Sequence, residues 1–195
     1  PGWVEFSDPN GLLYPAGEAY VATWSVGTTI GDDDVTIPRP AGLQDGEAML
    51  ACVLTDDATV GATPASGSGW TQIGSTYSAG GDGFISWWRK VASGEPASYT
   101  FGNAQYSSKI IYVMRLGGVA PADYIDTLGS GASGTDATAE NTGLDPVANN
   151  CTLLSAYYSL ADSSLTQQWS RPTGMYRVAH TSSPDGYIFG ALFGQ

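Results

Sequence analysis

Apolar residues in this chain fall in short blocks separated by glycine, proline and aspartate, and no useful window sustains a 3.6-residue period. The clearest block is Phe84-Ile85-Ser86-Trp87-Trp88-Arg89-Lys90-Val91. As a strand it sends Phe84, Ser86, Trp88 and Lys90 to one face and Ile85, Trp87, Arg89 and Val91 to the other. Both faces then carry a large ring. Such a strand is expected inside a sheet covered on each side, by a partner sheet on one and by an N-terminal arm or a neighbouring subunit on the other.

Further blocks read as strands over 20–26, 48–54, 70–77, 98–101, 109–116, 152–160, 175–181 and 187–193. The run Ala48-Met49-Leu50-Ala51-Cys52-Val53-Leu54 is continuously apolar, which marks a central strand. Residues 129–143, rich in Gly, Ser, Thr and Ala, read as a loop. With 26 Gly and 11 Pro among many short strands, the expected fold is all-β, an antiparallel β-sandwich of jelly-roll or Greek-key type. Two regions are expected: an extended N-terminal arm over 1–35 and a single sandwich domain over 36–195. Prolines punctuate the arm, and Trp3, Phe6, Tyr14, Tyr20 and Trp24 anchor it. Proline-broken aromatic segments lie along their own domain or a neighbour rather than in a core. These five aromatics, with Trp87, are the candidate subunit contacts.

A faint echo divides the sandwich into two similar halves. Met49-Leu50-Ala51-Cys52-Val53-Leu54, then Gly69-Trp70, then Gly81-Asp82-Gly83-Phe84-Ile85 is followed about 100 residues on by Leu153-Leu154-Ser155-Ala156-Tyr157-Tyr158, Gly174-Met175 and Pro184-Asp185-Gly186-Tyr187-Ile188-Phe189. Each half runs strand, proline-containing loop, strand, Asp-Gly hairpin, strand.

Composition narrows the chemistry. Charged residues make up 13% of the chain, about half the usual share, so the surface is built from Ser, Thr, Asn, Gly and aromatics. That suits a protein set against other proteins. The net charge of −12 and the scattered bases Arg39, Arg89, Lys90, Lys109, Arg115, Arg171 and Arg177 argue against nucleic acid or an anionic membrane as partner. No apolar run approaches about 20 residues and no signal-peptide pattern is present, so no membrane span is expected. The first residue is Pro1, which points to Met removal or processing.

Candidate reactive groups are sparse. His180 is the single histidine, it lies in a strand end, and no GxSxG elbow accompanies it. Cys52 and Cys151 lack zinc-ligand spacing; they pair only if their strands are neighbours, and otherwise act as small apolar side chains. Gly31-Asp32-Asp33-Asp34 reads as a solvated turn whose carboxylates have the hardness calcium takes, without an EF-hand pattern. Gly129-Ser130-Gly131-Ala132-Ser133-Gly134 matches GxGxxG, yet no amphipathic helix follows to hold a pyrophosphate. A glycosidase needs only two carboxylates, and the sequence leaves that pairing open. Trp70, Trp87 and Trp88 suggest a sugar platform, but neighbours in a strand face opposite ways. The expectation is no enzyme, no cofactor and no metal.

Several turn and strand-end residues resemble a known domain. Pro40-Ala41-Gly42-Leu43-Gln44-Asp45-Gly46-Glu47, then Gly69-Trp70-Thr71, then Trp88-Arg89-Lys90-Val91-Ala92 leading to Gly94-Glu95-Pro96-Ala97-Ser98-Tyr99-Thr100-Phe101, and Arg115-Leu116-Gly117-Gly118-Val119 with Pro121, Asp123, Ile125 and Asp126, are similar to a β-sandwich domain of structural proteins in tailed bacteriophages. The resemblance covers about residues 36–126. It implies a virion component without cofactor or catalysis, expected as a capsid decoration (cement) protein on the capsid exterior. Its partners would be the major capsid protein or other virion proteins, and further copies of itself in a homo-oligomer. The alternative is a tail, fibre or spike module that binds host carbohydrate.

Overall fold

In the computed structural model, residues 20–31, 33–56, 61–78, 83–102, 108–120, 125, 154–160, 176–184 and 188–194 are described. The strands are β1 (Tyr20–Thr29), β2 (Val35–Pro38), β3 (Ala48–Thr55), β4 (Thr63–Pro64), β5 (Thr71–Ser78), β6 (Phe84–Val91), β7 (Ser98–Gly102), β8 (Lys109–Gly117), β9 (Leu154–Leu160), β10 (Tyr176–Ser182) and β11 (Ile188–Gly194). No helix occurs among the described residues. The fold is an all-β antiparallel sandwich. A five-stranded sheet runs β1-β8-β3-β6-β5, with three-stranded sheets β2-β7-β4 and β10-β11-β9.

The five-stranded sheet is the middle layer, and the alternation of its side chains explains why. On β3, Met49, Ala51 and Val53 enter one core with Ile111 and Val113 of β8; Val35, Ile37, Tyr99 and Phe101 of the β2-β7-β4 sheet complete it. The intervening Leu50, Cys52 and Leu54 enter a second core with Ile110, Tyr112 and Met114, closed by Ala179 of β10 and by Leu154 and Ala156 of β9. A strand buried on both faces reads as an unbroken apolar run. Every residue of β3 is buried accordingly. Cys52 and Tyr112 lie side by side in the β3–β8 ladder.

β6 occupies the interior position inferred from its two rings. It pairs with β3 on one side and β5 on the other. Trp88 packs against the first core and Trp87 against the second. The second cover differs from the expected arm or neighbouring subunit. It is the chain's own β10-β11-β9 sheet, which the sequence pattern assigns to no layer.

The echoed segments share a connectivity. β3, β6 and β5 lie in that order within the large sheet, and β9, β11 and β10 lie in that order within the small one. In each, the first strand pairs with the third and the third with the second.

The region expected as an arm is partly sheet. Residues 20–29 form β1, which pairs with β8 from Tyr20↔Gly117 to Thr29↔Lys109, and Val35 opens β2. Residues 1–19 lie outside the described residues, as do the loop over 129–143 and Cys151. β2 lies across β1 because Gly27 has no side chain. A methyl group there would meet Val35 Cγ1 at 2.6 Å and Ile37 Cγ1 at 2.7 Å.

Candidate functional site

The segments over 45–47 and 92–95 form two interlocked turns. Gly46 N–H donates to Ala92 O (2.8 Å), and Ala92 N–H donates to Glu47 O (2.9 Å). Asp45 Oδ1 accepts Gly94 N–H at 2.8 Å, and Glu95 Oε1 accepts Ser93 N–H at 3.0 Å. Asp45-Gly46 suits this turn because Gly46 sits at φ 86°, in the region that disfavours a side chain. Two ion pairs fasten the turns to strands. Arg115 on β8 forks onto Glu47, Nε to Oε2 at 2.8 Å and Nη2 to Oε1 at 2.7 Å. Partial burial pulls the Glu47 carboxyl upward, but the Arg115 fork, Gln44 N–H and the guanidinium charge outweigh it and hold the pKa below its ordinary value.

Lys90 on β6 stands 2.9 Å from Glu95 Oε2 and donates to Ser68 O at 2.7 Å. Glu95 is the deepest carboxylate of the two pairs, with 2% of its side chain exposed. Tyr99 adjoins it, and burial first, then the hydrogen bond and negative charge of Glu95, push its phenol well above the ordinary range. Trp70 closes this corner edge-on to Tyr99, with centroids 5.7 Å apart at 80°, and tilted against Phe101 at 6.0 Å. The buried Trp70 Nε1 has no hydrogen-bond partner among the described residues. Trp88 Nε1 donates to Ser86 Oγ at 3.0 Å. Thus Trp70 and Trp88 face the first core and Trp87 the second, so the three make no common platform.

The aspartate turn already encloses a cation. Lys109, fully buried, donates from Nζ to Gly31 O at 2.6 Å and Asp33 O at 3.1 Å. These contacts use backbone oxygens of the turn, not the carboxylates on which a calcium site was weighed. Among the described residues no group of three His, Cys, Asp or Glu could hold a metal. His180 is partly buried on β10, where burial and then Arg177 lower its pKa. Cys52 is a buried free thiol, raised far above the ordinary range by desolvation.

Of the candidate contact residues, Trp3, Phe6 and Tyr14 lie outside the described residues. Tyr20 and Trp24 stand on β1, and Trp87 is half-buried between layers. Trp24 is 39% exposed and sits edge-on to the buried Tyr112 at 6.2 Å and 69°. Ile30, just past β1, is 46% exposed. The apolar pattern singles out neither Lys109, Ile30 nor the Glu47–Arg115 pair. The buried lysine and the pair carry no local signal, since Lys109 stands 78 positions from Gly31 and Arg115 stands 68 from Glu47.

No family model, curated protein or solved structure matches the chain.

Proposed function

We propose that the chain is a non-enzymatic structural protein of a tailed-phage virion, a decoration protein seated on the capsid exterior against the major capsid protein and further copies of itself. One observation carries this reading. Among the residues that resemble the phage sandwich domain are those that build the interlocked turns, Asp45, Gly46 and Glu47 against Ala92, Gly94 and Glu95. That part of the likeness falls on groups with a definite job in the fold. Low charge supports the same reading, because a sparsely charged surface loses little solvation on contact with a neighbour.

The carbohydrate alternative draws less support. Stacking on a sugar requires an open ring face, and Trp70 and Trp88 are engaged with the first core. Immunogold microscopy with antibody to the recombinant chain, on purified phage particles, tests the proposal. Label over the head is expected. Label confined to the tail would transfer the chain to the tail or fibre reading, and immunoblots lacking the chain in purified particles would end the virion assignment.

A further inference from the structure

We propose that the outer edge of β1 is a self-association surface, pairing antiparallel with β1 of a second copy of this chain. The two edges of the five-stranded sheet, β1 and β5, are unlike. On β5 the register with β6 breaks between Ile73 and Tyr77, and Gly74 within the break has φ 63°. Irregularities of this kind blunt an edge against further pairing. β1 has its one irregularity near its start, between Val21 and Thr23, and its ladder with β8 then continues unbroken to Thr29. Residues 23–29, Thr-Trp-Ser-Val-Gly-Thr-Thr, include no charge and no proline, the other devices that protect an edge. Over this span no strand among the described residues lies on the outer side.

An unprotected edge of uncharged residues is a template for an identical strand, and two copies each carrying −12 meet with least repulsion along a strip without carboxylates. β1 is such a strip. Apolar exposure points the same way: of the three large exposed apolar side chains among the described residues, Trp24 lies on β1 and Ile30 directly follows it. Pairing identical strands antiparallel creates a two-fold axis, and residues at the strand's middle become neighbours of their own copies. Trp24 and Ser25 are the middle of Tyr20–Thr29. The Trp24–Tyr112 ring contact on each side would then continue across the axis, an aromatic cross-strand arrangement that favours pairing. The sheet formed would run β5-β6-β3-β8-β1 and then β1-β8-β3-β6-β5 of the second copy. This inference does not rest on the virion assignment; the dimer stands or falls in solution.

Sedimentation velocity of the full chain across a concentration series tests it. The natural sequence is expected to show a monomer–dimer equilibrium. Trp24→Glu and Trp24→Lys, each setting like charges against one another at the axis, are each expected to weaken association about 100-fold. An equimolar mixture of the two variants is expected to recover it, which also shows that both fold. The triple change Trp3→Ala, Phe6→Ala, Tyr14→Ala is expected to leave association unchanged. A natural chain that stays monomeric would overturn the proposal. So would a Trp24→Glu chain that associates normally, a mixture that fails to recover, or a triple variant that is monomeric, since that last result would place the contact in residues 1–19.

Discussion

At Gly27 the missing side chain sets how closely two layers approach. Its Cα faces Val35 and Ile37, both buried, and a methyl group would overlap Cγ1 of each. Both neighbours are packed in the first core. Gly27→Ala is expected to cost about 1–3 kcal/mol in urea unfolding; an unchanged midpoint would show that β2 can move away. Glu47 offers a second residue-scale test. Its pKa is lower folded than its ordinary 4.5. A depressed carboxyl stabilises the fold above its unfolded pKa, and that contribution fades as pH falls below 4.5 through the folded value. Because both partners are about a quarter exposed, the pair contributes only about 1 kcal/mol. Arg115→Ala should remove that amount at neutral pH and shrink the difference from the natural chain below pH 4.5, as followed by chemical unfolding at a series of pH values. Such pairs are invisible in sequence, since nothing local to Glu47 names Arg115.

Among the elements, β6 joins the two cores, and its tryptophans can be removed separately. Trp87 faces the second core with Ile85, opposite the sheet containing β10. Trp87→Ala is expected to destabilise by about 3 kcal/mol, the lower end for a tryptophan because its side chain is only partly buried. Hydrogen exchange should then quicken in β10 before β7, which lies across the other core; equal acceleration in both would show that the cores open together. β3 reads as central, and β8 as a strand, because alternate residues feed both cores and leave apolar runs. β6 read as interior because it bears a ring on each face. β2 and β4 escaped detection for a physical reason. β2 has four residues ending in Pro38, and β4 has two ending in Pro64, too short for a period and closed by a residue that cannot donate to a ladder. β1 reads as strand-like yet as part of an arm, because its ladder partner lies about 90 residues away and its flanks are rich in proline. The candidate contact residues were legible as aromatic anchors, and Trp24 as one left exposed was not, since exposure depends on which strand occupies the edge.

At the scale of the whole molecule, the buried thiol of Cys52 reports on separation of the layers. In a Cys151→Ser background, alkylation of Cys52 should be negligible in the native protein and should rise with urea in step with loss of contact between β10 and the central sheet. Prompt native labelling would contradict the closed second core. The position of that core also has a consequence for synthesis. The central sheet is complete once β8 leaves the ribosome, but the strands that cover its second face, β9 to β11, follow it in the chain. At roughly 5–20 residues per second, Leu50, Leu54, Ile110 and Met114 stay uncovered for several seconds on every nascent chain. A ribosome stalled between β8 and β9 would therefore display a half-clothed, adhesive intermediate, and cells making this protein in quantity would need chaperones to shield it.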